Sequence, residues 1–424
     1  MLISFSVENF RSIRDLQTFS MEEQRSDKHL EETNTFESGS RRLLKSAAIF
    51  GPNGSGKSNV LNALMLMGAF VRNSSARGQA GDKIPHFPFL LSTATENKPA
   101  HFEVEFFADG HEYRYGYEVT AERVVSEWLF RKQPDAKPAR LFTRDDAGID
   151  CSSEFFKEGK GLDVRTRPNA LFLSVCAQFN GTESGKVMKW FNDHAIVTEE
   201  TKDLLKIAAA GLIADPKGKP QMLELMRKAN MCITDLRALP ALIAGDKWIS
   251  QKEELQAFFD RSKRTKIKTQ HAKRDADGNI VGFVEFDMDA DESRGTQRYT
   301  NIITVMLAAL ITGSRVVVMD ELDASLHPLL AQAIVDLFHS PENKNNSQLI
   351  FTSHDVTLLE PERFRRDQIW FCEKDENEAT ELYSLAEFDT QDVRPTTKFS
   401  RQYLKGLFGA VPKLAQFRED LQNV

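Results

Sequence analysis

One stretch constrains this chain more than any other: Ala47-Ala-Ile-Phe-Gly-Pro-Asn-Gly-Ser-Gly-Lys-Ser58. A short apolar strand runs into the spacing G-x-x-x-x-G-K-S, and a helix-forming run over 59–70 follows at once. The glycines let the backbone turn its N–H groups inward as an anion nest, at a helix N-terminus whose dipole adds positive field. Lys57 supplies a point charge for the β- and γ-phosphates of ATP, and the Ser58 hydroxyl is a ligand for Mg²⁺. Asn53, Gly54, Ser55, Gly56, Lys57, Ser58 and Asn59 are the expected nucleotide contacts.

A second stretch, Arg315-Val-Val-Val-Met-Asp-Glu321, is a continuous apolar run ending in two acids. Such a run indicates a central parallel strand buried on both faces. Asp320 at its end is placed to hold Mg²⁺ through water, and Glu321 to orient the attacking water as a base. An acidic pair after a strand also suits a plain helix start, but the upstream phosphate loop favours catalysis. A further strand, Gln348–Thr352, leads to His354. Ahead of Asp320, Glu292-Ser-Arg-Gly-Thr-Gln-Arg298 opens a helix and offers a second anion-binding end. One phosphate tail does not need two such ends in one chain. Two chains facing each other do: the Ser293–Gln297 end of one would cap the γ-phosphate held by its partner.

Around these motifs the pattern predicts strands at 3–10, 47–50, 102–107, 113–119 and 170–175, with a tight turn at Asp109-Gly110. Helical spacing prevails from Gly185 to about Arg261, broken at 215–220, and strand character returns over 265–288. The expected organisation is a nucleotide-binding half at 1–180, a mainly helical insertion ending in a hairpin at 181–289, and a second half at 290–424. With 41% apolar residues and 30 Phe in 424 positions, a sizeable core is available and disorder throughout is excluded. The four cysteines are far apart, with no metal spacing, which suits reduced thiols in a cytosol. No export signal or membrane span is visible, so a cytoplasmic location is expected. The net charge of −7 argues against a surface that coats nucleic acid. Locally, seven basic residues between Arg261 and Arg274 read either as a nucleic-acid contact or as a solvated hairpin strand.

Taken together these motifs resemble the ATP-binding-cassette (ABC) ATPases, in the soluble branch with SMC, RecF and the OLD family. Val7-Glu-Asn-Phe-Arg-Ser-Ile13 looks like that branch's first strand, which sits near the nucleotide. The resemblance implies an ABC-type P-loop head: α/β, with a mixed or parallel sheet core, an N-terminal antiparallel β portion and an inserted helical subdomain. It makes Gln178 a Mg²⁺-sensing glutamine, Ser293, Gly295, Thr296 and Gln297 the signature, Asp323 the D-loop residue and His354 the switch histidine. Arg294, between Ser293 and Gly295, departs from the S-G-G-Q pattern. Within the branch, Asn169-Ala-Leu-Phe-Leu-Ser174, Arg366–Phe371 and Tyr403–Pro412 resemble the RloA-type ATPases, which include ATPase halves of two-gene phage-defence systems such as PARIS. That implies a head-to-tail dimer or higher oligomer, and an effector protein, a nuclease or toxin, encoded nearby. The alternatives are a RecF- or SMC-like DNA-repair ATPase and an OLD-type nuclease, for which the stretch after His354 is short.

Overall fold

The computed structural model describes residues 1–25, 27–133, 136–198, 201–239, 265–313, 316–389 and 398–412. The chain opens with β1 (Leu2–Glu8) and β2 (Gln17–Ser20), a one-turn helix α1 (Glu31–Asn34), and a hairpin of β3 (Thr35–Ser38) and β4 (Arg41–Leu44). Strand β5 (Ser46–Phe50) then enters α2 (Lys57–Asn73) through the phosphate loop. A meander follows: β6 (Ala100–Ala108), β7 (His111–Val119), β8 (Val124–Lys132), β9 (Ala139–Asp145) and β10 (Gly148–Cys151). It joins β1 and β2 in a seven-stranded antiparallel sheet of order β10-β9-β8-β7-β6-β1-β2. Asp109 and Gly110, with φ of 53° and 78°, make the β6–β7 turn that the sequence predicted.

Next come α3 (Phe172–Gln178), α4 (Thr182–Asn192), β11 (His194–Val197), α5 (Lys202–Ala214), α6 (Gly218–Lys228), β12 (Asp235–Leu239), β13 (Lys266–Arg274) and β14 (Ile280–Asp287). The last part holds α7 (Arg294–Leu307), β15 (Val316–Met319), α8 (Pro328–His339), β16 (Gln348–Thr352), β17 (Ile369–Lys374), β18 (Thr380–Ser384) and α9 (Phe399–Leu404). Six of these strands form the central sheet, in the order β11-β15-β16-β5-β17-β18. It is parallel except for β18, which returns antiparallel beside β17. Every residue of β5, β15 and β16 is buried, as expected for strands covered on both faces. The chain therefore adopts the α/β class with a mixed central sheet and an N-terminal antiparallel sheet.

Helix α2 lies between the two sheets. Val60, Leu61, Leu64, Met67 and Val71 recur at helical spacing and share one core with Phe5, Phe102 and Tyr117 of the antiparallel sheet and Ile49 of the central one. The N-cap of α2 is Gly56, which offers no side-chain cap. Burial of this stripe, at about 1.5–3 kcal/mol per large side chain, therefore holds the helix in place. The other face of the central sheet packs on α8 and the chain's last described residues, through Ala331, Val335, Phe338, Phe399 and Phe408. A three-stranded sheet, β12-β13-β14, packs on α5, α6 and α7 through Met222, Met226, Leu236, Ile267 and Ile303.

Two expectations change. The run at 170–175 is not a strand; Phe172–Gln178 is the helix α3. The N–H groups of Phe172 and Leu173 donate to the fully buried carboxylate of Glu127, at 2.6 and 3.0 Å. That cap comes from β8, and no local pattern announces it, since short apolar runs do not separate helix from strand by period. The second change concerns 181–289. Strand β11, within that stretch, pairs in parallel with β15 and forms an edge of the central sheet. In the basic run, Lys266–Arg274 is β13, where Lys268 pairs with Asp287 at 3.0 Å. Arg261, Lys263 and Arg264 lie outside the described residues. Among the described residues, no helix is long and apolar enough to cross a membrane.

Candidate nucleotide-binding site

The site forms at the C-terminal ends of β5, β15 and β16. Strand β16 lies between the other two, so its last residue, Thr352, falls between the phosphate loop after β5 and the acids after β15. Thr352 Oγ1 donates to Asp320 Oδ1 at 2.6 Å and accepts the Glu321 N–H at 2.7 Å. From the other side Ser58 Oγ donates to the same Asp320 oxygen at 3.1 Å. A hydroxyl and a carboxylate thus converge across 262 residues of sequence. Hard oxygen donors in this number suit Mg²⁺, which usually takes one or two protein ligands and completes its shell with water and phosphate. The residues fit the ion the sequence implied. Among the described residues, no group of three or more His, Cys, Asp and Glu could hold a metal by itself.

Within the loop, Lys57 is buried and donates Nζ to the carbonyls of Gly51 and Pro52, at 2.8 and 3.0 Å. Loss of solvent lowers the pKa of its ammonium, and the charges of Asp320, Glu321 and Asp323 oppose that shift. Gly56 has φ 104°, and a Cβ there would sit 2.1 Å from Thr380 Oγ1, so a side chain is excluded twice over. Asn53 and Gly54 are exposed at the loop's tip. The Ser55 hydroxyl is buried without a hydrogen-bond partner among the described residues.

A collar from distant parts of the chain braces the loop. Thr380 Oγ1 donates to Ser55 O at 2.9 Å, and its N–H to Ser12 O at 2.7 Å. Asn59 Nδ2 donates to Ser12 Oγ at 2.7 Å, while Arg11 Nη1 reaches Asn59 Oδ1 at 3.4 Å. The stretch at 7–13 thus lies beside the first turn of α2. Asn9 faces away from the nucleotide loop. Its amide donates to Thr95 O and Lys98 O and accepts the Phe89 N–H, pinning the loop at 89–98.

Glu321 sits beyond the end of β15 with φ 49°, a conformation uncommon for a residue with a side chain. Asp323 accepts the His354 N–H at 3.2 Å, joining the loops after β15 and β16. The His354 ring is held below the ordinary histidine pKa by loss of solvent and then by the Lys57 charge, with the three nearby acids opposing. Its surroundings therefore favour the neutral ring.

At the signature end, the Ser293 side chain caps α7 by accepting the Thr296 N–H at 3.1 Å. Ser293 and Arg294 are exposed. A Cβ on Gly295 would lie 2.8 Å from Ser325 O, so this helix end packs tightly on the loop after Glu321. Gln297 Nε2 turns back to the carbonyls of Glu292 and Asp289, at 3.1 and 3.3 Å. Among the described residues no hydrogen bond or ion pair joins 293–297 to the phosphate loop.

Gln178 is not brought to this site. It is exposed at the end of α3, one turn beyond Ser174, whose hydroxyl donates to Val71 O at 2.5 Å. Val71 lies far along α2 from Ser58, about 20 Å at 1.5 Å per residue. The assignment of Gln178 as a Mg²⁺ contact is withdrawn on that ground. Three residues that sequence reasoning missed stand here instead: Thr352, Thr380, and Arg298, whose Nη2 donates to the carbonyls of Asp320 and Glu321 at 2.6 and 3.1 Å. The Thr at the end of an apolar strand was a readable signal; for the other two no local pattern exists.

Fold and site define a P-loop nucleotide-binding domain, with acids and a histidine on the strands beside the loop. The chain belongs to the family described as "AAA domain, putative AbiEii toxin, Type IV TA system", which matches residues 46–360. It is thus an AAA-type nucleotide-binding ATPase domain. Among solved structures it is similar to the SMC head domain from Thermotoga maritima, at 14% identity over 90% of this chain and 98% of that one, with a TM-score of 0.39. It is also similar to an SMC head bound to the C-terminal winged-helix domain of ScpA, at 14% identity over 92% and 99%, with a TM-score of 0.44. No curated protein matches the chain.

Proposed function

We propose that this protein is an ATP-hydrolysing switch that closes head to tail around two Mg-ATP and controls a partner effector. The observation that carries the reading is the meeting of Ser58, Thr352 and Asp320 on one oxygen, with Glu321 next in the chain. Nest N–H groups from Gly54 to Ser58 and the Lys57 ammonium hold the β- and γ-phosphates. Ser58 and Asp320 would hold Mg²⁺, which supplies charge neutralisation for phosphoryl transfer when bound. Glu321 takes the proton of the attacking water, and neutral His354 donates a hydrogen bond at the γ-phosphate. Ser293, Gly295, Thr296 and Gln297 of the second protomer close the pocket, with Asp323 at the seam. Product release reopens it, so turnover times a conformational state.

The effector would be a nuclease or toxin encoded nearby, and the process antiviral defence. The family's description as a putative toxin of a type IV toxin–antitoxin system supports that setting. A DNA-repair role in the manner of RecF has the basic strand β13 in its favour, although Asp287 already neutralises Lys268 there. Salt-dependent DNA binding, stimulated by ATP and lost on neutralising Lys266 and Lys268, would select that reading. The primary test is the mass of Glu321→Gln with and without Mg-ATP. A doubling with nucleotide is expected; a monomer at saturating ATP would sink the head-to-tail closure.

A further inference from the structure

We propose that Arg298 is a positioning residue that carries the occupancy of the partner's pocket to its own protomer's catalytic carboxylates. The proposal rests on the reading of Ser293–Gln297 as a cap on the partner's γ-phosphate and names how that cap is sensed.

Helix α7 begins at the cap, and Arg298 projects from it little more than one turn further on. Its guanidinium donates Nη2 to the carbonyl oxygens of both Asp320 and Glu321. These bonds are charge-assisted, and they fall on the two peptide units that aim the carboxylates. The helix dipole disfavours a cation this close to an N-terminus, and the first turn of α7 holds no acid to offset it. The main-chain carbonyls of Asp320 and Glu321 are acceptors for the guanidinium.

The peptide they grip is poised to move. Glu321 and Ser325 bound the loop after β15 at φ 49° and 59°, both in the left-handed region. Such residues persist only where neighbours hold them. On one side the holding group is fixed in the sheet: Thr352 takes the Glu321 N–H through Oγ1 and the Leu322 N–H through its carbonyl, at 2.7 and 3.0 Å. On the other side it is α7, through Arg298 and through the tight Gly295–Ser325 approach. A shift of α7 as Ser293 seats on a phosphate is thus delivered to Glu321 at a point where the sheet cannot follow. A catalytic base displaced by even about 1 Å loses much of its effect. Each protomer then hydrolyses its own ATP fully only when its own cap has found the partner's.

The test uses Arg298→Ala and Arg298→Lys in the full chain, read by phosphate release against ATP and by ATP-dependent mass in the Glu321→Gln background. For Arg298→Ala, kcat should fall about tenfold or more with KM within about threefold. Closure around two ATP predicts a sigmoidal dependence on ATP for the wild type, which should become hyperbolic in Arg298→Ala, while the Glu321→Gln double variant still binds ATP and still doubles in mass. Arg298→Lys, which keeps a cation within reach, should recover part of the rate. Wild-type kcat and sigmoidicity in Arg298→Ala would overturn the proposal while leaving the trans cap standing. Absence of ATP-dependent doubling in the Glu321→Gln parent would instead remove the reading on which the proposal rests. An equal loss of unfolding midpoint in both Arg298 variants would assign the residue to the fold and overturn it too.

Discussion

The phosphate loop and the start of α7, which we propose to be the two halves of one pocket, differ in what completes them. Around Ser58, hydrogen bonds from α2 and from Thr352 of β16 converge on Asp320, and Thr380 and Ser12 brace the loop from behind. At the signature, Ser293 and Thr296 bond to each other, Gln297 folds back on its own turn, and Ser293 and Arg294 face solvent. The first half is finished by its own fold. The second is an exposed helix end whose side chains bond to one another and to their own turn, and among the described residues none of them bonds to the phosphate loop. A protein that builds one half rigidly and leaves the other open can make assembly the condition for chemistry.

That contrast can be broken most strongly at Glu321. Glu321→Gln should slow turnover by about 10²–10⁴, or roughly 3–5 kcal/mol of barrier, with ATP affinity retained. Single-turnover phosphate release beside a nucleotide-binding titration measures both. If affinity fell with the rate, the residue would belong to binding. Ser293→Arg comes next: a bulky cation on the exposed cap should cut kcat about 10–100-fold and abolish ATP-dependent doubling of Glu321→Gln, without touching monomer ATP affinity. Should a Ser293→Arg protein turn over normally at any dilution, the two halves would not need each other.

Gly56→Ala sharpens the comparison from the rigid side. Positive φ and the contact with Thr380 predict a loss of about 1–3 kcal/mol, read as a lowered unfolding midpoint together with weakened ATP binding. Gly185→Ala, where added Cβ meets open space, is the control. The smallest effect concerns pH. His354 is lowered from its ordinary value, so in the folded protein it gains its proton only below about pH 6.5. Where its folded pKa lies below the unfolded one, protonation favours the unfolded chain. Its contribution to stability is therefore present above that range and lost as pH falls. An acid limb of kcat below pH 6.5, flattened in His354→Gln, is the expected profile.

How much of this could be read in the chain follows from the range of each interaction. The phosphate loop and the acids after β15 are local: glycines at fixed spacing, a lysine, a hydroxyl, an apolar run ending in carboxylates. Their meeting was legible because a parallel sheet brings strand ends to one edge. Gln178 was misread for the opposite reason. The apolar run before it looks like a strand, and only the buried Glu127 carboxylate, on another sheet strand, turns it into a helix against the far end of α2. Strand β11 was likewise hidden, because four residues between helices declare themselves only by pairing with β15.

The sequence by itself indicated a phosphate loop between a strand and a helix, and an acidic strand end to meet it. Those conclusions depend on backbone conformation and residue chemistry within about a dozen positions. Tertiary structure alone decided that Thr352 and Ser58 meet on one oxygen of Asp320, that Thr380 seals Gly56, and that Arg298 grips the peptide of Glu321. Threonine and arginine have no spacing rule that predicts such partners. Their roles appear only when packing brings groups tens to hundreds of residues apart within hydrogen-bond reach.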